Sequence, residues 1–124
     1  KVADALAAFK PFKAVHGNID GWDIRKTHPQ DRRFMCEDLD VWLTHIGGYP
    51  GRYETRLHKL FATHPPGLLI CWHSHILKVM FDKKYNLLFI NPGAAGNSGQ
   101  HHVKTLLRFS VDGKAIKNMD VIEF

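Results

Sequence analysis

The chain has 124 residues, of which 44% are hydrophobic and 23% charged, and this balance predicts one folded domain and excludes a disordered chain. Its formal net charge of +5, from 17 Lys and Arg against 12 Asp and Glu, favours phosphate-bearing ligands by long-range attraction. Basic residues do not form a run interleaved with aromatic ones, which argues against a nucleic-acid interface.

The first half of the chain predicts a helix followed by strands. "VADALAAF" (2–9) has the pattern of an amphipathic helix, and "FKAV" (12–15) that of a short strand. The polar stretch 21–33 predicts a loop. Two β-prone runs around an acidic turn in "FMCEDLDVWLTH" (34–45) predict a hairpin or two consecutive strands. "IGGYPGRY" (46–53) predicts irregular structure, because glycines and a proline crowd it.

The second half predicts one helix and then strands. "YETRLHKLFAT" (53–63) places Leu57, Leu60 and Phe61 on one helical face. The apolar runs 68–71, 76–81 and 86–90 predict strands, the last two joined by a polar turn as a hairpin. A glycine-rich loop (91–100) precedes a closing hairpin over 103–124.

Cysteine usage and hydropathy bear on the compartment. Cys36 and Cys71 both lie in apolar, strand-like stretches, which predicts reduced thiols in an intracellular, cytoplasmic protein. No segment approaches the roughly 20 apolar residues needed to span a bilayer, so no membrane association is expected.

Four side chains that suit metal ions follow predicted strands. Asn18 follows the first strand, His45 closes "VWLTH", and His73 and His75 follow "LLICW". Ligands collect at strand ends in α/β sheets, because the loops there converge on one crevice. Imidazoles two residues apart suit a metal site, although a histidine at a strand end is more often a solvated or capped imidazole. The other histidines are interpreted as surface or loop residues: His16, His28, His58, His64, His101 and His102.

The order of "HGNID", "LTHIGG", "CWHSH" and "INPGAAG" resembles the calcineurin-like metallophosphoesterases, in particular the small bacterial and archaeal phosphodiesterases. The resemblance implies an α/β fold of two facing mixed β-sheets flanked by helices. By motif position it implies that Asn18, His45 and His73 bind the second of two divalent ions and that His75 binds the first. Asn18 would also face the phosphate, and Ile90 to Gly93 would shape the floor of the site.

The chemistry that the resemblance implies is hydrolysis of a phosphodiester substrate with two divalent ions, the expected metal being manganese. Ions about 4 Å apart neutralise the phosphoryl oxygens and supply a bridging hydroxide that attacks phosphorus in line. No covalent intermediate with the enzyme is needed.

The chain departs from the family pattern at three places. The family's DxH and GD motifs have no counterpart here, so residues 1–124 are predicted to be a single domain, the C-terminal part of a metallophosphoesterase domain, with little turnover alone. Trp72 stands where the family has glycine, and Ile19 where many relatives have a histidine that assists the leaving group. The absent strands predict an exposed sheet edge, which invites a homo-oligomer.

Two other interpretations stay open. One is a protein-binding scaffold on the same fold, as in the retromer subunit that resembles these phosphoesterases, with Trp72 and "GGYPGRY" on its partner surface. The other is an unrelated basic domain in which the histidines are incidental.

Overall fold

The computed structural model describes residues 2–9, 11–17, 28–96 and 103–124. Helix α1 spans Val2–Phe9, as predicted. Residues 11–17 have no regular secondary structure, so the strand predicted at 12–15 is wrong. Isolated hydrogen bonds hold this segment, including those from His16 N to Pro29 O, from the His16 ring to His28 O and from Arg32 Nε to Ala14 O, and no described strand pairs with it.

The predicted hairpin over 34–45 is confirmed, and it starts earlier than its apolar residues indicate. Strand β1 (Asp31–Cys36) pairs antiparallel with β2 (Leu39–Thr44), from Asp31 opposite Thr44 to Cys36 opposite Leu39. The first residues of β1 belong to the stretch predicted as a polar loop. Within them, Arg33 lies opposite Trp42 and forms an ion pair with Asp40, its diagonal neighbour on β2, at 2.7 Å.

The stretch 46–53 contains a tight hairpin, so its prediction as irregular is wrong. Strands β3 (Gly48–Tyr49) and β4 (Arg52–Tyr53) pair antiparallel. Gly48 and Gly51 have φ angles of +79° and +93°, which only glycine adopts without strain. The glycines therefore permit this hairpin.

Helix α2 spans Thr55–Phe61. Of the three residues predicted to share one face, Leu57 and Phe61 are buried, whereas Leu60 is 46% exposed. The helix is only two turns long, and its contact with the sheet is confined to a stripe narrower than the predicted face. Within the described ranges, no helix is long and apolar enough to cross a membrane.

Three further strands complete a five-stranded sheet: β5 (Leu68–Ile70), β6 (Lys78–Asp82) and β7 (Leu87–Asn91). The order is β1-β2-β5-β7-β6, with β2, β5 and β7 parallel and the two outer strands antiparallel. The predicted hairpin of β6 and β7 is confirmed, although β6 begins two residues later than predicted. The carboxyl ends of the three parallel strands lie at one edge.

A second sheet packs on one face of the first. Strands β8 (Thr105–Asp112) and β9 (Ala115–Glu123) form the closing hairpin, and their apolar side chains contact Leu39, Val41, Leu68 and Ile90. On the other face, Leu57 and Phe61 of α2 pack with Trp42, Leu69, Leu87 and Phe89. Two facing sheets flanked by a helix confirm the predicted fold class.

Candidate active site

Two of the predicted site residues meet at the carboxyl edge of the parallel strands. His45 follows β2 directly, and His73 lies three residues beyond β5. The backbone N–H groups of Trp72 and His73 both donate to the His45 carbonyl oxygen, at 3.3 and 3.1 Å. The two loops are therefore joined at the point where their imidazoles emerge.

The imidazoles themselves are in contact. The Nδ1 atom of His73 lies 3.1 Å from Nε2 of His45, and the rings meet edge to face with their centroids 5.0 Å apart. The structure thus brings two of the four predicted side chains together. Their role as metal ligands stays a prediction.

Arg56 fixes the chain on both sides of His45. From the first turn of α2, its Nη2 atom donates to Thr44 Oγ1 and to the Ile46 carbonyl oxygen, each at 3.0 Å. Its Nη1 atom donates to both carboxylate oxygens of Asp31, at 2.7 and 2.8 Å. One guanidinium thus ties β1, the end of β2 and the following loop to α2, and the sequence offered no signal for it.

Trp72 packs beside the histidine pair. Its half-buried indole meets the His45 ring edge-on, with centroids 5.8 Å apart and planes at 80°. The residue with a left-handed backbone in this loop is His75, with φ of 59°, and not Trp72. Position 72 therefore does not need glycine for a left-handed backbone, and its indole lies against the His45 ring.

A third predicted residue, His75, is placed differently from His45 and His73. His75 follows a turn in which its N–H donates to the Trp72 carbonyl oxygen at 3.0 Å. The described residues that line the neighbouring cavity include His45, His73 and Ser74, and His75 is not one of them. Asn18 lies outside the described residues.

The cavity beside His45 and His73 has a volume of about 410 Å³ and is mostly apolar. Tyr49, Ile76 and Phe89 contribute apolar surface, and Lys78 is the one formally charged side chain among the described lining residues. The Lys78 Nζ atom lies 5.9 Å from the centre of the Tyr49 ring. A cation at the rim of an apolar cavity suits an organic molecule that carries an anionic group.

Asn91 holds the floor of the cavity. This buried residue ends β7; its Nδ2 atom donates to Ser74 Oγ at 2.9 Å, and its Oδ1 atom accepts from Gly93 N at 3.0 Å. A side chain at Gly93 would collide with Thr105 Oγ1, which donates to the Pro92 carbonyl oxygen at 2.8 Å. Sequence reasoning placed 90–93 on the floor, whereas the link from Asn91 to the histidine loop was missed.

Cys71 lines the cavity but is not a nucleophile at neutral pH. Burial raises the pKa of its thiol to about 12, well above its ordinary value. Its Sγ atom lies 3.7 Å from the Gly48 carbonyl oxygen. The predicted buried, reduced thiol is therefore found at Cys71, whereas Cys36 is free but only half-buried.

The family is decided by the sequence as a whole. Residues 1–114 match the calcineurin-like phosphoesterase superfamily domain. The chain belongs to this superfamily. The resemblance to the calcineurin-like phosphoesterases that the sequence motifs indicated is confirmed at the level of the superfamily. No curated protein matches the chain significantly.

Several solved structures share the fold of this chain. A Thermotoga maritima protein is 23% identical, with a TM-score of 0.71 over 99% of this chain and 73% of that one. Vps29 of Entamoeba histolytica, complexed with zinc, is 16% identical, with a TM-score of 0.69 over 97% and 73%. An archaeal phosphodiesterase is 20% identical, with a TM-score of 0.64 over 90% and 67%. At these identities the likeness concerns the fold.

The distance between His45 and His73 can be compared with the spacing that a shared metal ion requires. Two ring nitrogens that bind one ion at about 2.1 Å must lie within about 4.2 Å of each other, and the 3.1 Å between His45 and His73 meets this condition. Across residues 2–9, 11–17, 28–96 and 103–124, no group of three or more His, Cys, Asp or Glu is arranged to hold an ion. A complete calcineurin-like centre would need further donors.

Proposed function

We propose that this chain carries part of the active site of a metal-dependent phosphodiesterase. The observation that carries the proposal is the contact of His45 with His73 at the mouth of a cavity, in a chain of the phosphoesterase superfamily. His45, His73, His75 and Asn18 would hold two divalent ions, with manganese the expected metal. Bound ions would supply the positive charge that phosphoryl transfer to water requires.

The remaining cavity residues suggest how a substrate would be held. The Lys78 ammonium would attract a phosphodiester, which keeps one negative charge at neutral pH. The organic group of the ester would lie against Tyr49 and Ile76, where burial of apolar surface favours binding. Asn91 would keep the histidine loop and the cavity floor at a fixed separation through its bonds to Ser74 and Gly93.

Hydrolysis of bis(4-nitrophenyl) phosphate with added manganese tests this proposal, in protein made from the complete coding sequence. We expect turnover that depends on manganese and that His73→Ala abolishes, because this change removes a ligand. His64→Ala is the matched control, since His64 is an exposed histidine just beyond α2. Equal rates in the two variants, or turnover that ignores manganese, would contradict the proposal.

A protein-binding scaffold is the alternative function. Two observations favour it. Among the described residues, only the ring nitrogens of His45 and His73 are grouped as possible ligands, and Ile76, which lines the cavity, is a large apolar side chain that is exposed. The fold is shared with Vps29 of Entamoeba histolytica. Manganese affinity that neither His45→Ala nor His73→Ala alters would favour the scaffold over the enzyme.

A further inference from the structure

Strand β6 is an edge of the central sheet with unusual side chains. Among the described strands it pairs only with β7. Its three central residues are apolar and exposed, namely Val79 at 44%, Met80 at 42% and Phe81 at 53%. The opposite edge strand, β1, carries Arg32 and Arg33, and charges of this kind discourage strands of other molecules from pairing. Between its two ends, β6 has no such protection.

The two faces of β6 differ in chemistry. The register with β7 places Lys78, Met80 and Asp82 on the α2 face of the sheet. Val79 and Phe81 lie on the face toward the second sheet, which nevertheless leaves both exposed. One face of the strand thus has a cation at its start and an anion at its end, and the other face is apolar.

We propose that β6 pairs with β6 of a second copy of this chain, antiparallel, about a two-fold axis at Met80. In this arrangement Lys78 lies opposite Asp82 of the second copy, twice, and Val79 lies opposite Phe81. The charged ends attract each other and the exposed apolar side chains become covered, while the backbone groups at the sheet edge gain hydrogen-bond partners. Two five-stranded sheets then form one continuous sheet.

The register follows from the faces of the strand. Residues directly opposite each other in an antiparallel pair lie on the same face of the sheet. The two-fold axis must therefore place one residue of β6 directly opposite the same residue of the second copy. An axis at Phe81 would place Lys78 opposite Lys84, which is repulsive. An axis at Val79 would place Asp82 opposite Ile76 and would pair no charges. Only the axis at Met80 joins opposite charges.

The Asp82 carboxylate can still accept hydrogen bonds from Lys78 of the second copy. Its Oδ2 atom accepts from the Tyr53 hydroxyl at 2.6 Å, and its Oδ1 atom accepts from Lys84 N at 2.9 Å. A carboxylate has about four lone-pair positions, so two remain for an ammonium group. The Tyr53 bond also fixes the direction of the carboxylate at the strand end.

Sedimentation equilibrium over a range of protein concentrations tests the proposal. We expect a monomer and dimer equilibrium in which Met80→Lys raises the dissociation constant at least about tenfold, because two ammonium groups then meet at the axis. Met35→Lys is the matched control, a methionine that is 61% exposed on the other edge strand, and it should leave the constant unchanged. Lys78→Glu should weaken the dimer, and Lys78→Glu with Asp82→Lys should restore it.

Disulfide trapping tests the register without relying on these variants. In a Cys36→Ser background, Met80→Cys should cross-link on oxidation, since opposed Cβ atoms lie about 5 Å apart. Val79→Cys should not, because two Val79 residues would be diagonal neighbours at about 7 to 8 Å. A wild-type protein that stays monomeric, equal effects of Met80→Lys and Met35→Lys, or preferential cross-linking through Val79 would overturn the proposal.

Discussion

The imidazoles of His45 and His73 meet at 3.1 Å although they come from different strands of the sheet. The contact exists because β2 and β5 are parallel neighbours, so their carboxyl ends deliver both loops to one edge. Two nitrogens at this separation act as a unit toward an ion or toward each other.

A double-mutant cycle on manganese affinity measures this unit. We predict that His45→Ala and His73→Ala each weaken binding by about tenfold or more, and that the double variant is little weaker than either single one, because one remaining imidazole cannot hold the ion. Isothermal titration calorimetry gives the four affinities. Strictly additive losses would mean that the two histidines serve separate sites.

Arg56 should act on the site through the backbone beside His45. We predict that Arg56→Lys lowers manganese affinity severalfold and lowers the free energy of unfolding by about 1 kcal/mol, since an ammonium cannot reproduce the fork to Asp31, Thr44 and Ile46. The control is Arg108→Lys, which alters an exposed ion pair on β8. Equal metal affinities in these variants would show that Arg56 has no positioning role.

Trp72 should trade stability against metal binding. We predict that Trp72→Gly lowers the free energy of unfolding by about 2 kcal/mol, because a half-buried aromatic side chain is lost and backbone freedom is gained. Manganese affinity and hydrolysis of an aryl phosphodiester should rise, since the His45 ring is released from the indole edge. Trp72→Phe keeps an aromatic ring and should change both quantities less. Higher stability in Trp72→Gly would refute this account.

Cys71 predicts a loss of stability in alkali. The thiol of the folded protein has a pKa of about 12 against an ordinary value of 9.0, so only the unfolded chain releases this proton between those values. The stabilisation of the folded protein by the protonated thiol is fully present below pH 9. Between pH 9 and about 12 the free energy of unfolding falls by about 1.4 kcal/mol per pH unit. Tyr53, whose pKa is raised by burial and by its bond to Asp82, adds a further loss above pH 10.

Urea unfolding at several alkaline pH values, under reducing conditions, isolates the Cys71 contribution. Cys71→Ala should be less stable than wild type at pH 8 because it leaves a cavity, yet its stability should decline less steeply above pH 9. Parallel declines in the two proteins would place the thiol in contact with water.

The parts of the fold set by local pattern were predictable. The alternation and apolar runs of 68–71 and 86–90 identified the strands that carry the site, and parallel strands bring His45 and His73 to one edge. Two predictions of secondary structure were wrong because contacts between distant parts of the chain, or the backbone freedom of glycine, decide the conformation there. Residues 12–15 have strand propensity but no described neighbour in register, and 46–53 turn through glycines that the sequence pattern presented as breakers.

The contacts that hold the site in place could not be predicted from the sequence, for a related reason. Arg56 contacts groups 10 to 25 residues away in the chain, and only the folded backbone brings them together. Leu60 belongs to the apolar side of α2 by spacing, yet the short helix leaves it at the surface. His75 shares its motif with His73 but has a left-handed backbone and does not line the cavity.

The contact of Gly93 with Thr105 has an evolutionary consequence. The floor of the cavity and the first residue of β8 fit so closely that a side chain at Gly93 would require a change at Thr105. The two sheets therefore depend on each other. Replacing the closing hairpin by that of another protein would disturb the edge of the sheet that carries His45 and His73, through Asn91 and Ser74. Recombination within this lineage should break more readily at other loops than at this junction.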